Sequence, residues 1–525
     1  MSELRPYAMR QWLVPILLLS TAALGLFALA YLLDFGLRDG GFSLSAAWHQ
    51  YAALDGDRLT DAIGQLAPVM VALLGIVVTV VAIIVQLAAG RYAGVARMFL
   101  RDRINLLVMA YYVVFGVYGL WLSVSLNGAF VPRISLMLAL LAASFGLLLM
   151  LPYFSYVFWF LDPTNLVLRI GRNASRAVAD AASKRSSRPI NELQAMTLSS
   201  LAELTDIASN SISGKDKIIA SRAVDAFKDF ARDYLLVKDR LPALWFRIGD
   251  GIRDNPDFVA MDPESLFDLE NRRNWVEWQV LRQYLGIYAD ALTAMPDIDY
   301  LIAIDTRYIG AAAAERGDAE LIDLVMRFMN SFLRSTLNAR NVRAAYNLLN
   351  QYRLLIDALL RQENGNAALA GVRHMSYYGH VGYDLSLPFV TETVAYDLSA
   401  LCQTAHELGA PEQDQMLAYF LELDRPLRAK SLERALLGVR KAQVKLATYY
   451  LSVGELTRAG AIALDMKDEQ PERLAAIKAT LAAVVSKDFW EIIDRGHNFE
   501  YMPDSLHAQL ERFFALVSQA KARPV

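Results

Sequence analysis

The residues of this chain that could do chemistry are concentrated in one stretch, RHMSYYGHVGYDLSLPFVTETVAYDLSALCQTAHE, residues 373–407. Its acid–base groups and potential metal ligands are His374, His380, Asp384, Glu392, Asp397, Cys402, His406 and Glu407. Such side chains bind zinc or transfer protons when a fold brings several of them together. His374 and His380 are six residues apart and do not share a helix face. We therefore expect them to complete hydrogen bonds of the core, and whether His374, His380 or His406 belongs to a site stays open.

Other catalytic and cofactor motifs are absent from the sequence. Gly214-Lys215 is followed by aspartate and lacks the upstream glycine of a phosphate-binding loop. The single cysteine, Cys402, excludes an internal disulfide and a cysteine-rich metal cage. A net charge of −3 does not favour a nucleic-acid partner. The sequence predicts a protein that is not an enzyme, with no catalytic residues, no cofactor, no metal and no nucleic acid.

Apolar residues make up 55% of the 525 residues, and the longest apolar runs lie in the N-terminal third. A helix of about 20 residues crosses a bilayer core. Four stretches are long and apolar enough to do so, at about 12–33, 66–90, 105–126 and 134–161. The first is too long for a signal-peptide core and has no convincing cleavage site behind it. It is predicted to remain as a membrane anchor.

Arginines determine the predicted orientation of these spans. They follow the second and fourth spans, at Arg91, Arg97, Arg101, Arg103, Arg169, Arg172 and Arg176. The other two connections carry few basic residues. Because positive residues are retained on the cytoplasmic side, both termini and everything after about residue 162 are predicted to be cytoplasmic.

The second predicted span carries a stripe of small and polar residues, which we call the seam. Its members recur at alternating steps of three and four, at Ala72, Gly75, Thr79, Ala82, Gln86, Ala89, Ala93 and Ala96. Within a bilayer, small residues let helix backbones approach closely, and Thr or Gln can hydrogen-bond across the contact. The seam therefore predicts a helix contact. Its partner is either another span of the same chain or a second copy, in a tight oligomer contact or lining a pore.

The residues that follow the seam resemble a bacterial family. The resemblance is carried by Gln86-Leu87-Ala88, Arg91-Tyr92 and the turn Phe99-Leu100-Arg101-Asp102-Arg103, ahead of an aromatic-rich span. These features are similar to the predicted membrane proteins grouped as domain of unknown function 2254 (DUF2254). The resemblance covers about residues 10–170 and is clearest over 81–125, although Ala93-Gly94-Val95 replaces the family's Pro-Arg. It implies a multi-pass protein of the bacterial inner membrane and supplies no catalytic residues.

After the spans, the sequence predicts cytoplasmic helices. Residues 163–240 are predicted to be membrane-proximal, with one amphipathic helix that places Ile219, Ala223, Phe227, Phe230 and Tyr234 on one face. The segment 240–263 predicts a loop or small hairpin, because it is rich in Gly, Pro and Asp. Asp262-Pro263-Glu264 predicts the start of the next helix.

Residues 241–525 read as helices separated by short breaks. From Leu446, the residues Ala447, Tyr450, Ala459 and Pro471 stand at offsets similar to a tetratricopeptide repeat. The match is partial, because Gln443 and Ala463 occupy two of its aromatic positions. This window predicts a helical hairpin within a repeat-like array.

The predicted fold is all-α. A four-helix transmembrane bundle over residues 1–162 precedes the membrane-proximal helices and an α-solenoid or tetratricopeptide-like domain. The favoured function is a homo-oligomeric membrane assembly, channel-like or sensing, whose partners are the bilayer and further copies. The alternative is a membrane-anchored adaptor that recruits a cytoplasmic protein through its helical repeats.

Overall fold

A computed structural model describes residues 9–39, 45, 56–89, 95–125, 132–183, 187–424, 433–488, 495 and 498–522. Every regular element in these ranges is a helix, which confirms the all-α prediction. The chain divides into two compact units, Met1–Leu166 and Val167–Val525. The further subdivision at residue 240 stays a prediction.

The first unit contains five helices in the described ranges. They are α1 (Met9–Asp39), α2 (Gly56–Ala89), α3 (Val95–Leu100), α4 (Arg103–Ser125) and α5 (Arg133–Leu161).

Three segments of these helices are long and apolar enough to cross a membrane. They are Leu18–Leu37 of α1, Arg103–Ser125, which is all of α4, and Ile134–Leu161 of α5. The apolar stretch of α2, Val71–Ile83, is shorter, although the helix around it is continuous for 34 residues. The full crossing by the second span and the four-helix bundle therefore stay predictions.

The core of the first unit lies where α2, α4 and α5 pack against one another, and α1 contacts α5. Its buried side chains include Leu73, Val77, Val81, Val108, Tyr112, Tyr153, Val157 and Phe160. Many large apolar side chains point outward instead, such as Leu107, Val114 and Leu141. An apolar exterior of this extent suits a lipid environment and would be costly in water.

The second unit is a longer series of helices. They are α6 (Pro163–Ala182), which begins in the first unit, α7 (Ile190–Ser213), α8 (Lys217–Val237), α9 (Asp250–Arg253), α10 (Pro263–Asn271), α11 (Trp275–Ala294), α12 (Pro296–Arg316), α13 (Ala319–Asn338), α14 (Val342–Arg361), α15 (Gly365–Asp384), α16 (Pro388–Glu407), α17 (Gln413–Leu421), α18 (Glu433–Ser452), α19 (Leu456–Asp465), α20 (Pro471–Ala483), α21 (Asp504–His507) and α22 (Leu510–Ala522).

Local sequence patterns determine several of these helices. Helix α10 begins at Pro263 because the Asp262 side chain accepts a hydrogen bond from the Ser265 amide at 2.9 Å, as predicted. The predicted apolar face of α8 is buried at Ala223, Phe227, Phe230 and Tyr234, and half-buried at Ile219. Between them, the predicted loop over 240–263 consists of 3₁₀ turns, the short helix α9 and further turns, with no hairpin.

Ten of the helices from α7 to α18, all except α9 and α10, form two rows. One row contains α8, α12, α14, α16 and α18, each in contact with the next, and the other contains α7, α11, α13, α15 and α17. Consecutive helices from α11 to α16 are joined by breaks of one to three residues, so each helix also packs against its neighbour in the other row. The starts of α12, α14 and α16 at Pro296, Val342 and Pro388 are 46 residues apart. This spacing exceeds the 34 residues, roughly, of a tetratricopeptide repeat.

The window from Leu446 lies in a helical hairpin at the end of these rows. Helices α18 and α19 pack together around a turn in which Gly454 has a φ of +81°, a conformation that glycine adopts without strain. The side chains of Ala447, Tyr450 and Ala459 are buried, and Pro471 opens α20. The hairpin is present, whereas its tetratricopeptide character stays a prediction.

Glycine allows the closest approach within the rows. A Cβ added at Gly310 of α12 would lie 2.8 Å from the Leu355 side chain and 3.0 Å from that of Val325. By contrast, a Cβ at Gly286 of α11 would have nothing within 4 Å.

We predict that these two glycines respond oppositely to substitution. Gly310→Val should lower the free energy of unfolding of the second unit by about 1–3 kcal/mol through overpacking. Gly286→Ala, the matched control, should raise it by about 0.5–1 kcal/mol through helix propensity. Thermal unfolding of the full-length protein in detergent measures both changes. Equal stability of Gly310→Val and wild type would contradict this packing.

Candidate packing seam and polar turn

The seam lies on the outside of the single chain. The described members Ala72, Gly75, Thr79, Ala82 and Gln86 are all exposed. A Cβ added at Gly75 would have nothing within 4 Å. The side chains of Ala89 and Ala96, and the whole of Ala93, lie outside the described residues.

The opposite side of α2 makes the contacts within the chain. Leu73, Val77 and Val81 are buried against α4 and α5 and belong to the core. They recur at a step of four, which keeps them on one face, on the other side of the helix from Gly75, Thr79 and Ala82. Large side chains therefore make the internal contact, and the described small residues of the seam stay exposed.

Gln86 is the polar member near the C-terminal end of α2. Its side chain is exposed and makes no hydrogen bond to any described residue. An unsatisfied amide in hydrocarbon is costly, so a glutamine at this position requires water or a partner.

The turn between α3 and α4 forms a second polar feature, which we call the polar turn (Phe99–Asn105). The Oδ2 atom of Asp102 accepts hydrogen bonds from the Ile104 amide at 3.0 Å and the Asn105 amide at 3.3 Å. It also accepts one from the Tyr156 hydroxyl at 2.5 Å. A single carboxylate thus caps α4 and ties it to α5.

Asn105 makes a second link across the polar turn. Its Nδ2 atom donates to the Phe99 carbonyl at 3.2 Å, and its Oδ1 atom accepts from the Tyr153 hydroxyl at 2.7 Å. The Phe99 ring is fully buried and packs edge-on against Phe160, with centroids 5.2 Å apart. These contacts give the Phe-x-Arg-Asp turn a structural role: it joins α3, α4 and α5 through polar groups with satisfied hydrogen bonds.

The arginines that predict the orientation contribute little to this core. Arg101, Arg103, Arg172 and Arg176 are exposed and Arg169 is half-buried, whereas the side chains of Arg91 and Arg97 lie outside the described residues. Their distribution is compatible with a topological role, which stays a prediction.

The histidines of the candidate chemical cluster make separate hydrogen bonds. His374 Nδ1 lies 3.1 Å from the Tyr352 hydroxyl, and His406 Nδ1 lies 3.2 Å from Gln413 Oε1. The His380 ring nitrogens face the carbonyls of Ser376 and Glu422 at 3.0 and 3.1 Å. Among the described residues, no three His, Cys, Asp or Glu side chains are placed to hold a metal ion.

Burial makes Cys402 a poor nucleophile. The side chain lies in the core, and desolvation raises the pKa of its thiol to about 12. The thiol therefore stays protonated at neutral pH.

Asp397, which lies on α16 with Cys402, forms ion pairs with two arginines. Arg495 Nη1 lies 2.6 Å and Arg353 Nε 3.4 Å from Asp397 Oδ1. The ion pairs link α16 to α14 and to Arg495, which lies outside the described helices, and they account for this carboxylate as a packing element.

A buried carboxylate lies beside a small cavity between α11, α12 and α14. Asp299 is almost fully buried, and its Oδ2 atom makes no hydrogen bond to a residue in the described ranges. The cavity measures about 90 Å³, and its lining includes Tyr300, Arg343 and Asn347. Desolvation raises the pKa of Asp299 to about 7, against an ordinary value of 3.8.

Comparison with known proteins gives one match. A family model described as predicted membrane protein (DUF2254) matches residues 9–213, which confirms the resemblance seen in the sequence. The match contains α2, the polar turn and helices α4 to α7. No curated protein and no solved structure matches the chain.

The polar turn predicts a large effect of one hydroxyl. Tyr156→Phe should destabilise the first unit by about 1.5–3 kcal/mol, because it removes a hydrogen bond to a carboxylate. Tyr118→Phe is the control, since the Tyr118 hydroxyl donates to the neutral Ser135 carbonyl at 3.0 Å, and should cost about 0.5–1.5 kcal/mol. Thermal unfolding in detergent should rank the two. If Tyr156→Phe destabilises the protein no more than Tyr118→Phe does, the hydrogen bond to Asp102 does not have the proposed contribution to stability.

Asp299 predicts a pH dependence of stability. Between pH 4 and 7 the unfolded carboxyl has lost its proton and the folded one retains it, so stability falls as pH rises. The expected slope for this group is about 1.4 kcal/mol per pH unit in that window, and it ends above pH 7. Asp299→Asn should flatten the profile measured by denaturant unfolding at pH 5, 6 and 7. Exposed Asp254→Asn serves as the control, and identical slopes in wild type and Asp299→Asn would contradict the assignment.

Proposed function

We propose, from the family match over residues 9–213 and the arrangement of α2, that this chain is a non-enzymatic inner-membrane protein that assembles into a homo-oligomer through the seam. In the proposed topology four spans cross the membrane and both termini are cytoplasmic. The assembly is channel-like or sensing, and the helical rows of the second unit form its cytoplasmic part. The bilayer and further copies of the chain are its partners.

One observation carries the proposal: the small-residue side of α2 is exposed although the large-residue side is packed. Gly75, Thr79 and Ala82 are small residues and are exposed. Another helix backbone could therefore approach α2 closely at these residues, which the described helices of the same chain leave uncovered. In a bilayer such surface gains contacts when another backbone comes near, and Thr79 or Gln86 can hydrogen-bond across the contact. A symmetric copy of α2 supplies a surface of the same kind.

The seam predicts that its enlargement separates the subunits without unfolding them. Gly75→Leu and Ala82→Leu together should lower the mass of the protein in detergent to that of one chain, because the larger side chains hold the backbones apart. Val78→Leu is the matched control: Val78 is exposed but lies beside the seam. Size-exclusion chromatography with light scattering measures the mass.

If the double variant keeps the mass of a wild-type oligomer, the seam is not the contact between subunits. Flux through liposomes that contain the wild-type protein separates the two forms of the proposal. Ion flux that the double variant abolishes favours the channel-like form, and an oligomer without flux favours the sensing form.

The alternative, a membrane-anchored adaptor, is supported by the two helical rows. A regular spacing of 46 residues is within the range, about 40–47, of the helical repeats that stack into α-solenoids, and such arrays bind partners along an extended surface. Cross-linking of the full-length protein in native membranes, followed by mass spectrometry, distinguishes the two. Cross-links from the rows to one cytoplasmic protein at constant stoichiometry favour the adaptor, and cross-links confined to copies of this chain favour the homo-oligomer.

A further inference from the structure

A basic cleft lies in the described part of the second unit. It measures about 900 Å³ and lies between the end of α6, the start of α7 and the segment 240–249. Its lining includes Arg188, Arg240, Arg247, Ile190, Pro242 and Leu244, and we call it the arginine cleft. Cavities of about 300–1,000 Å³ are the size of small-molecule sites.

Two arginines of the arginine cleft, Arg240 and Arg247, are available to a ligand. Arg240 and Arg247 are exposed and form no ion pair with a carboxylate in the described ranges. None of the described residues that line it is Asp or Glu. Guanidinium groups present planar sets of donors that fit phosphate and carboxylate oxygens, and two of them can contact different oxygens of one phosphate group.

Hydrogen bonds and ion pairs of buried side chains fix the backbone near Arg240 and Arg247. The Gln194 side chain, which is buried, donates to the carbonyls of Trp245 and Arg247 at 2.8 and 3.0 Å. Two residues before Arg240, the Lys238 ammonium lies 2.6 Å from Glu277 and 2.8 Å from Asp318. The two cationic positions are thus fixed on packed elements, as a binding site requires.

One wall of the arginine cleft is apolar. Leu244 is 53% exposed and stands with Pro242 and Ile190 beside the arginines. A bare inorganic anion would leave this wall in water. A ligand that combines a charged head with an apolar part would cover both surfaces.

We propose that the arginine cleft binds a phosphate-bearing amphiphile, in which a phosphoester contacts Arg240 and Arg247 and an apolar portion covers Leu244. Two sources share this chemistry: the head and first acyl carbons of an anionic phospholipid, and a soluble nucleotide. The site is independent of the seam, so it stands whether or not the chain forms oligomers.

Binding to the full-length protein in neutral detergent tests the proposal. The probes are dioctanoyl phosphatidylglycerol, followed by native mass spectrometry, and ATP, followed by equilibrium dialysis. Dioctanoylglycerol, which lacks the phosphate, is the ligand control. We expect saturable binding of one probe, with a Kd that Arg240→Gln combined with Arg247→Gln raises about tenfold or more.

Two further variants make the result decisive. Arg222→Gln combined with Arg232→Gln removes the same charge from exposed positions of α8 outside the arginine cleft and should leave Kd unchanged. Leu244→Glu retains both arginines, places a negative charge on an exposed position and should also weaken binding. Binding of the lipid alone identifies a membrane source, and binding of ATP alone a soluble one. Binding of neither probe, or equal Kd values for the two double-arginine variants, overturns the proposal.

Discussion

The first unit depends on one constraint, that polar groups in or near lipid must be satisfied by protein. Asp102 and Asn105 meet it at the polar turn, where Tyr156 and Tyr153 of α5 donate to them at 2.5 and 2.7 Å. This joins α4 to α5 at one end, and Leu73, Val77 and Val81 then pack α2 against both helices. Because α2 uses its large-residue side for that contact, its small-residue side faces away from the chain's own core. The polar turn and the seam are therefore connected consequences of one packing arrangement.

The second unit shows a different balance of forces. Its helices α11 to α16 have nearly equal lengths and short connections, so burial between neighbouring rows stabilises the array. Charges inside it are paired across helices, as with Arg440, which lies 2.8 Å from Asp424 and 2.6 Å from Asp465. Such pairs fix the positions of helices more than they add stability, because the attraction between the charges must first offset their desolvation. Asp299, without a counter-ion at hydrogen-bond distance, departs from this pattern.

Local patterns were sufficient to predict much of the fold. Asp262 before Pro263 predicted a helix start, and the period of Phe227, Phe230 and Tyr234 predicted a buried face, because both depend on residues within a few turns of one helix. The polar turn was recognisable as a motif, but its partners were not, since Tyr153 and Tyr156 are 48 and 54 residues away along the chain.

The partner of the seam and the residues that form the arginine cleft could not be predicted from the sequence alone. Small residues at helical spacing predicted a close contact on α2 but left two partners open, because a stripe has the same spacing whichever helix it meets. The structure adds that Gly75 and Ala82 are exposed in the single chain, so a partner helix would contact α2 on this outer side. The arginine cleft combines residues from three segments, and no local pattern relates Arg188 to Arg240 and Arg247.

The central claim is that the exposed side of α2 meets another copy of α2. Disulfide cross-linking in native membranes tests it most directly. The chain has one cysteine, Cys402, and because it is buried the wild-type protein should give little cross-linking of its own. Cysteine introduced at Gly75 or Ala82 should give cross-linked pairs of chains, whereas cysteine at Leu120, which is exposed on α4, should not. Equal cross-linking at Leu120 and Ala82, or none at Gly75 and Ala82, would contradict the account.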